Sequence, residues 1–199
     1  MTTSSSYLPS RIACRVLIQI DPSIGRACAR KLVLYDCDLA LTYSTNKLAA
    51  EELVAQLRHD RDTHLPTERH FRVTIHQADL SSTNACIKLC EEVRKAHGRP
   101  IDILVSNAGY GRRIPDILWV LFILMFDISP PAESNQRDIP IEEFEYTIRL
   151  NLTASFVLTK CLVEDMKKQH WGRIIFISSI AAYGAGLNGC RMSPPLPLF

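Results

Sequence analysis

Short apolar runs of five or six residues recur along the chain with helical patterns between them, and this alternation constrains the fold more than any single motif. RVLIQI (Arg15 to Ile20) leads into GRACARKLVLY, where Ala27, Ala29, Leu32 and Val33 share a helical face. DLALTY (Asp38 to Tyr43) leads, with Asn46 as a cap, into KLAAEELVAQLRH, which is built from strong helix formers. After a polar stretch, Asp60 to His70, read as a surface loop, FRVTIH (Phe71 to His76) precedes a helix opened by Ser81 or Ser82 and closed by Gly98. IDILV (Ile101 to Val105) and RIIFIS (Arg173 to Ser178) flank a long amphipathic helix from Ile141 to His170, ended by Gly172. The runs are apolar at successive positions, as in strands covered on both faces, so the expected fold class is α/β. The architecture would be a doubly wound, Rossmann-like parallel sheet, incomplete at the C-terminus. Ligands of such sheets sit beyond the carboxyl ends of the strands. Here those ends are Gln19 to Gly25, Ser44 to Lys47, Asp79 to Leu80, Ser106 to Gly109, and Ser178 onward.

Length and composition narrow the classes. At 199 residues, 47% apolar and 22% charged, the chain has the make-up of one globular domain with its own core. A net charge of +2 without a dense Lys/Arg cluster argues against nucleic acid as a partner. The seven cysteines are odd in number and scattered, with no CxxC pair, and read as reduced core residues. The six histidines are not spaced to complete a metal site with Cys86 and Cys90, so no metal is expected. The longest apolar run, Ile117 to Phe126, has ten residues, whereas a spanning helix needs about 20. Residues 1–13 read as a flexible leader. Their hydroxyl-rich, acid-free character leaves a mitochondrial address as the alternative to a cytoplasmic one.

Several strand-end residues carry chemistry of their own. Gly109 lets a backbone approach a ligand closely, and the Asn107 amide can tie neighbouring strand ends together. Asp79 has the placement either to accept a hydrogen bond from a ligand amine or to cap the helix starting near Ser82. Asn151 lies within a helix, where asparagine is a poor helix former, so another role must offset that choice.

Taken together, ADL (Ala78 to Leu80), SNAG (Ser106 to Gly109), LNLTASF around Asn151, GRIIFISS (Gly172 to Ser179) and IGRACARKL resemble the short-chain dehydrogenase/reductase family, in its 3-oxoacyl-acyl-carrier-protein reductase branch. The resemblance spans Ile24 to Gly189, within one Rossmann-like domain over 14–189. It implies that Ser179 polarises a substrate carbonyl and that Asn151 holds a water in a proton relay. It implies a nicotinamide cofactor held by Ile24, Gly25, Arg26, Ser44, Thr45, Asn46, Asp79, Leu80, Asn107, Ala108 and Gly109, with Asp79 on the adenine. An acid after the second strand would repel a 2′-phosphate, and Ser44, Thr45, Asn46 and Lys47 are neutral or basic, so the expected cofactor is NADP. Arg26 either adds positive charge for that phosphate or faces solvent. The family also implies homo-oligomers through the long helix.

Three segments depart from the family pattern. At its glycine-rich turn this chain has IQIDPSIG, with Gln19 and Ser23 at the first two glycine positions and Asp21 between them. Side chains at 19 and 23 are expected to crowd the approach of a pyrophosphate. About nineteen residues within 118–137 look inserted, and 190–199 reads as a tail foreign to the family. The family's tyrosine, roughly a dozen residues beyond the serine, and the lysine four further on have no counterpart: Met192 stands there, and no lysine follows Ser179. The expectation is thus an NADP-dependent reductase of a 3-oxoacyl thioester or similar ketone, impaired in this chain. The alternatives are a non-catalytic truncated homologue acting as a dimer partner, and a membrane-peripheral protein docking through 119–126. Irregularities at the glycine turn, the insertion and the tail are all expected to come from the gene model or transcript.

Overall fold

A computed structural model describes residues 14–20, 24–65, 71–110 and 140–178. Strands β1 (Arg15–Gln19), β2 (Asp38–Tyr43), β3 (Val73–Gln77), β4 (Ile103–Ser106) and β5 (Arg173–Phe176) form one parallel sheet in the order β3-β2-β1-β4-β5. Helices α1 (Ile24–Val33), α2 (Lys47–His64) and α3 (Thr83–His97) follow the first three strands. After β4 come α4 (Ile141–Ile148), a π-helical turn (Arg149–Thr153) and α5 (Ala154–Lys168), which returns the chain to β5. The order turns at β1, with β2 and β3 on one side and β4 and β5 on the other, so the doubly wound arrangement read from the sequence is the one found.

Successive residues of each central strand feed opposite cores. On β1, Val16 and Ile18 pack with Leu39, Leu41, Val33 and Leu57 toward α1 and α2, whereas Leu17 packs with Leu104, Leu89 and Leu158 toward α3 and α5. All of these side chains are fully buried or nearly so. Burying such a group contributes about 1.5–3 kcal/mol relative to leaving it exposed, so β1 binds the two layers together. Cys37, Cys86 and Cys90 are buried and Cys14, Cys28 and Cys161 partly so.

Boundaries differ from the sequence reading where distant partners intervene. The stretch expected as a loop from Asp60 continues α2 through His64, because Asp60 accepts from Arg30 at 2.8 Å and Arg61 reaches Asp36 at 3.2 Å. Arg61 also stacks over the Phe71 ring, so the end of α2 is held inward rather than released. Strand β4 starts at Ile103, although the Asp102 backbone still bonds Arg15 at 2.9 Å and Arg173 at 3.0 Å, and its carboxylate also accepts the Arg15 backbone N–H at 2.8 Å. The long helix is interrupted by the π-helical turn at Arg149–Thr153 and ends at Lys168. The segment 118–137, the leader, the tail and the docking run 119–126 lie outside the described residues.

Candidate active site

The carboxyl ends of β1 to β4 surround a cleft of about 320 Å³. Of the residues expected to hold a cofactor, Arg26, Ser44, Thr45, Asn46, Asp79, Leu80, Ala108 and Gly109 line it. Asn107 and Gly25 stand behind this lining, both buried, and Ile24 at the start of α1 is exposed. Ser179 lies outside the described residues, so its placement relative to the cleft does not enter the geometry.

Each wall has a local cause. Asn46 accepts the Ala49 N–H at 3.0 Å and caps α2, which fixes the Ser44–Thr45 bend at the end of β2. Arg26 does not face solvent: its guanidinium donates to the Ala49 carbonyl at 2.9 Å, placing a cation beside the first turn of α2. Asp79 does not cap α3. Ser82 does, accepting from Ala85 N–H, while one Asp79 oxygen takes both the N–H and the hydroxyl of Ser81 in a tight local turn. Gly25 is required by contact, since a Cβ there would sit 2.3 Å from the Gln19 carbonyl oxygen and 3.0 Å from the Asn107 amide nitrogen. The start of α1 therefore rests directly on the end of β1.

The Gln19 side chain folds back under the strand ends. It is 2% exposed, and its amide oxygen accepts the N–H of Asn107 at 2.6 Å and of Ala108 at 2.5 Å. Asn107 answers by donating its side-chain amide to the Gln19 carbonyl at 3.0 Å. Ser23 and Asp21 lie outside the described residues. Ser106 shares a 2.7 Å hydrogen bond with Ser155 and so ties β4 to α5.

Asn151 sits in the π-helical turn and its amide is committed at both ends, accepting the Tyr110 N–H at 2.7 Å and donating to the Tyr110 carbonyl at 2.9 Å. It behaves as a piece of strand laid against the residue after Gly109. A π turn also leaves helical carbonyls out of the regular ladder, a feature frequent at functional sites. Beneath the cleft, Cys86 donates to the Leu80 carbonyl, and burial pushes its thiol up to about 11, which keeps it protonated and unreactive. Sequence reasoning did not assign Thr42, Tyr146 and Leu150 to the site, although they line it. Only the position of Thr42, the last polar residue before the β2 end, carried a signal.

An open parallel sheet, a ligand-sized cleft at the strand-order reversal and an asparagine-tied fourth strand define a Rossmann-like domain of the class that takes its ligands at the strand ends. The short chain dehydrogenase family model matches residues 20–190, and the chain belongs to that family. It is 26% identical over 181 residues to the NADPH-dependent aldehyde reductase 2, chloroplastic, of Arabidopsis thaliana, covering 89% of this chain and 60% of that protein. It is 28% identical over 175 residues to a 3-oxoacyl-acyl-carrier-protein reductase of Aquifex aeolicus, covering 85% of this chain and 56% of that protein. A 34% identical stretch of 105 residues matches the sepiapterin reductase of Chlorobaculum tepidum, covering 53% of this chain and 34% of that protein. Among solved structures, NAD⁺-bound xylitol dehydrogenase superposes with a TM-score of 0.69 at 23% identity, covering 92% of this chain and 60% of that one, a likeness of fold. The chain thus spans between about a third and three-fifths of the length of these curated relatives.

Proposed function

We propose that this chain carries the cofactor half of an NADP-dependent short-chain reductase acting on a 3-oxoacyl thioester or similar ketone. The observation that carries the reading is the cleft at the β2 end, where Arg26 supplies a cation and Ser44, Thr45 and Asn46 supply neutral donors without an acid. That donor set fits a phosphorylated adenosine ribose, and Asp79 and Leu80 on the opposite wall suit the adenine. The exposed Asp79 carboxylate keeps its second oxygen out of the Ser81 turn. The Gly25 contact brings the N-terminus of α1 against the strand end, where backbone N–H groups favour a phosphate charge.

When bound, the nicotinamide supplies the hydride. The work of the protein is to orient the ring and the ketone, exclude water, and place a hydrogen-bond donor on the carbonyl oxygen. Ser179 is proposed for that last task. The pair of hydrogen bonds between Asn151 and Tyr110 holds the π turn against the wall that ends at Gly109, so support of a proton relay by Asn151 would run through the backbone of the turn. Residues 1–199 hold no tyrosine and lysine at the family spacing beyond Ser179. A missing proton donor typically costs about 100- to 10,000-fold in rate.

The purified 199-residue chain is expected to bind NADPH more tightly than NADH and to reduce a 3-oxoacyl thioester at least about 100-fold more slowly than an intact family reductase. Fluorescence titration with both dinucleotides, followed by absorbance assays with the thioester, checks both. Equal or tighter NADH binding would overturn the cofactor choice. Absence of binding to either would overturn the reading itself, in favour of a non-catalytic partner of an intact homologue.

A further inference from the structure

We propose that Gln19, standing where the family carries a glycine, is a positioning residue for the cofactor wall, holding the end of β4 by side-chain hydrogen bonds. The inference rests on the dinucleotide reading above. One amide oxygen takes the N–H groups of both Asn107 and Ala108, and the Gln19 backbone carbonyl takes the Asn107 amide, so three bonds from one residue hold the β4 end against the β1 end. The held segment continues through Gly109 to Tyr110, which Asn151 grips from the other side. Ala108 and Gly109 line the cleft, so Gln19 fixes the level of one cleft wall across 88 residues of sequence.

One polar group of the Gln19 side chain is left over from these bonds. The Nε2 is buried with no hydrogen-bond partner among the described residues, and so is the hydroxyl of Thr42, the register partner of Gln19 on β2. Gln19 and Thr42 are each 2% exposed, and both line the cleft. The two unmet groups lie on one face of neighbouring strands, at the floor of the site the wall encloses.

The test compares the wild-type chain with Gln19→Leu and Gln19→Gly. Amide hydrogen exchange at Asn107 and Ala108 and the Kd for NADPH are measured on all three, with circular dichroism and exchange at Leu17 and Leu104 to confirm that each is folded. Gln19→Leu keeps the bulk and removes the acceptor. It is expected to speed exchange at Asn107 and Ala108 by at least tenfold, leave Leu17 and Leu104 protected, and weaken NADPH by at least tenfold. Gln19→Gly, which restores the family residue, is expected to bind NADPH more tightly than Gln19→Leu although it too lacks the acceptor. Unchanged exchange at the two amides, or faster exchange with unchanged NADPH affinity, overturns the proposal. Should Gln19→Leu fail to fold, Gln19→Gly alone decides it: unaltered protection at Asn107 and Ala108 in that variant overturns the proposal. A wild-type chain that binds neither NADPH nor NADH instead overturns the dinucleotide reading, and with it the purpose assigned to the wall, whatever the exchange shows.

Discussion

At single residues, contact geometry decides what sequence types leave open. Gly25 was legible as part of a family turn, and the structure supplies the reason: a Cβ would fall 2.3 Å from the Gln19 carbonyl. Backbone, not a flexible side chain, is the obstacle, so α1 would have to lift off β1. Gly25→Ala is expected to destabilise the chain by about 1–3 kcal/mol, as overpacking does, and to weaken NADPH binding at least tenfold. Urea unfolding and fluorescence titration read the two effects, and a fully stable variant with wild-type affinity would contradict the contact. Gln19 was less legible. From sequence its side chain stands where a phosphate should approach. Whether it points outward or folds under β4 depends on two N–H groups that a strand 88 residues away brings within reach. No local pattern encodes that.

Elements were legible where their ends are set by neighbours in sequence. Helix α3 opens at Ser82 and closes at Gly98, whose φ of 65° is left-handed; residue type alone marked the Gly98 end and narrowed the start to Ser81 or Ser82, with Asp79 as a rival cap. Ser82→Ala, which removes the acceptor for the Ala85 N–H, is expected to cost about 1 kcal/mol, measurable as a lowered urea midpoint with an unchanged slope. Elements whose course is fixed by tertiary partners were not legible. The extension of α2 to His64 depends on Arg30 and Asp36, and the π turn depends on Tyr110 lying beside Asn151. Asn151→Ala removes both bonds to Tyr110 and leaves that backbone pair unmet. A loss of about 1–3 kcal/mol is expected, together with faster amide exchange at Tyr110. Exchange at Tyr110 unchanged from wild type would show that the asparagine does not hold the turn.

The whole molecule places its ligand chemistry and its buried charges at opposite ends of the sheet. The cleft occupies the carboxyl ends, while at the amino ends Arg15 pairs with Asp102 at 3.1 Å, both nearly buried, and Gln169 donates to the other Asp102 oxygen at 3.0 Å. This cluster joins β1, β4 and the segment before β5, so it ties the amino end of β1 to the β4–β5 side of the sheet. Nearby, the Thr74 hydroxyl bridges the Nε2 atoms of His76 at 2.8 Å and His97 at 2.9 Å, linking β3 to the end of α3. Burial is the main cause that lowers the His97 pKa to about 4, with Arg72, His76 and Arg15 acting in the same direction and Asp38 opposing. Burial likewise lowers His76, against the pull of Glu92. Because the folded state holds His97 neutral where the unfolded chain would protonate it at about 6.5, the unfolded state binds more protons between those values. Stability from this group is therefore complete above about pH 6.5, falls as pH drops toward 4, and changes no further below that. A shift of this size corresponds to at most about 3 kcal/mol. Unfolding by urea at pH 7.5, 6 and 5 is expected to show the decline. Carboxylates also titrate at the acid end, so the decisive measurement is the difference from His97→Gln, an uncharged residue that can keep one bond to Thr74. That variant should lose less stability than wild type between pH 7.5 and 5, and parallel curves for the two would show that His97 is not the group responsible.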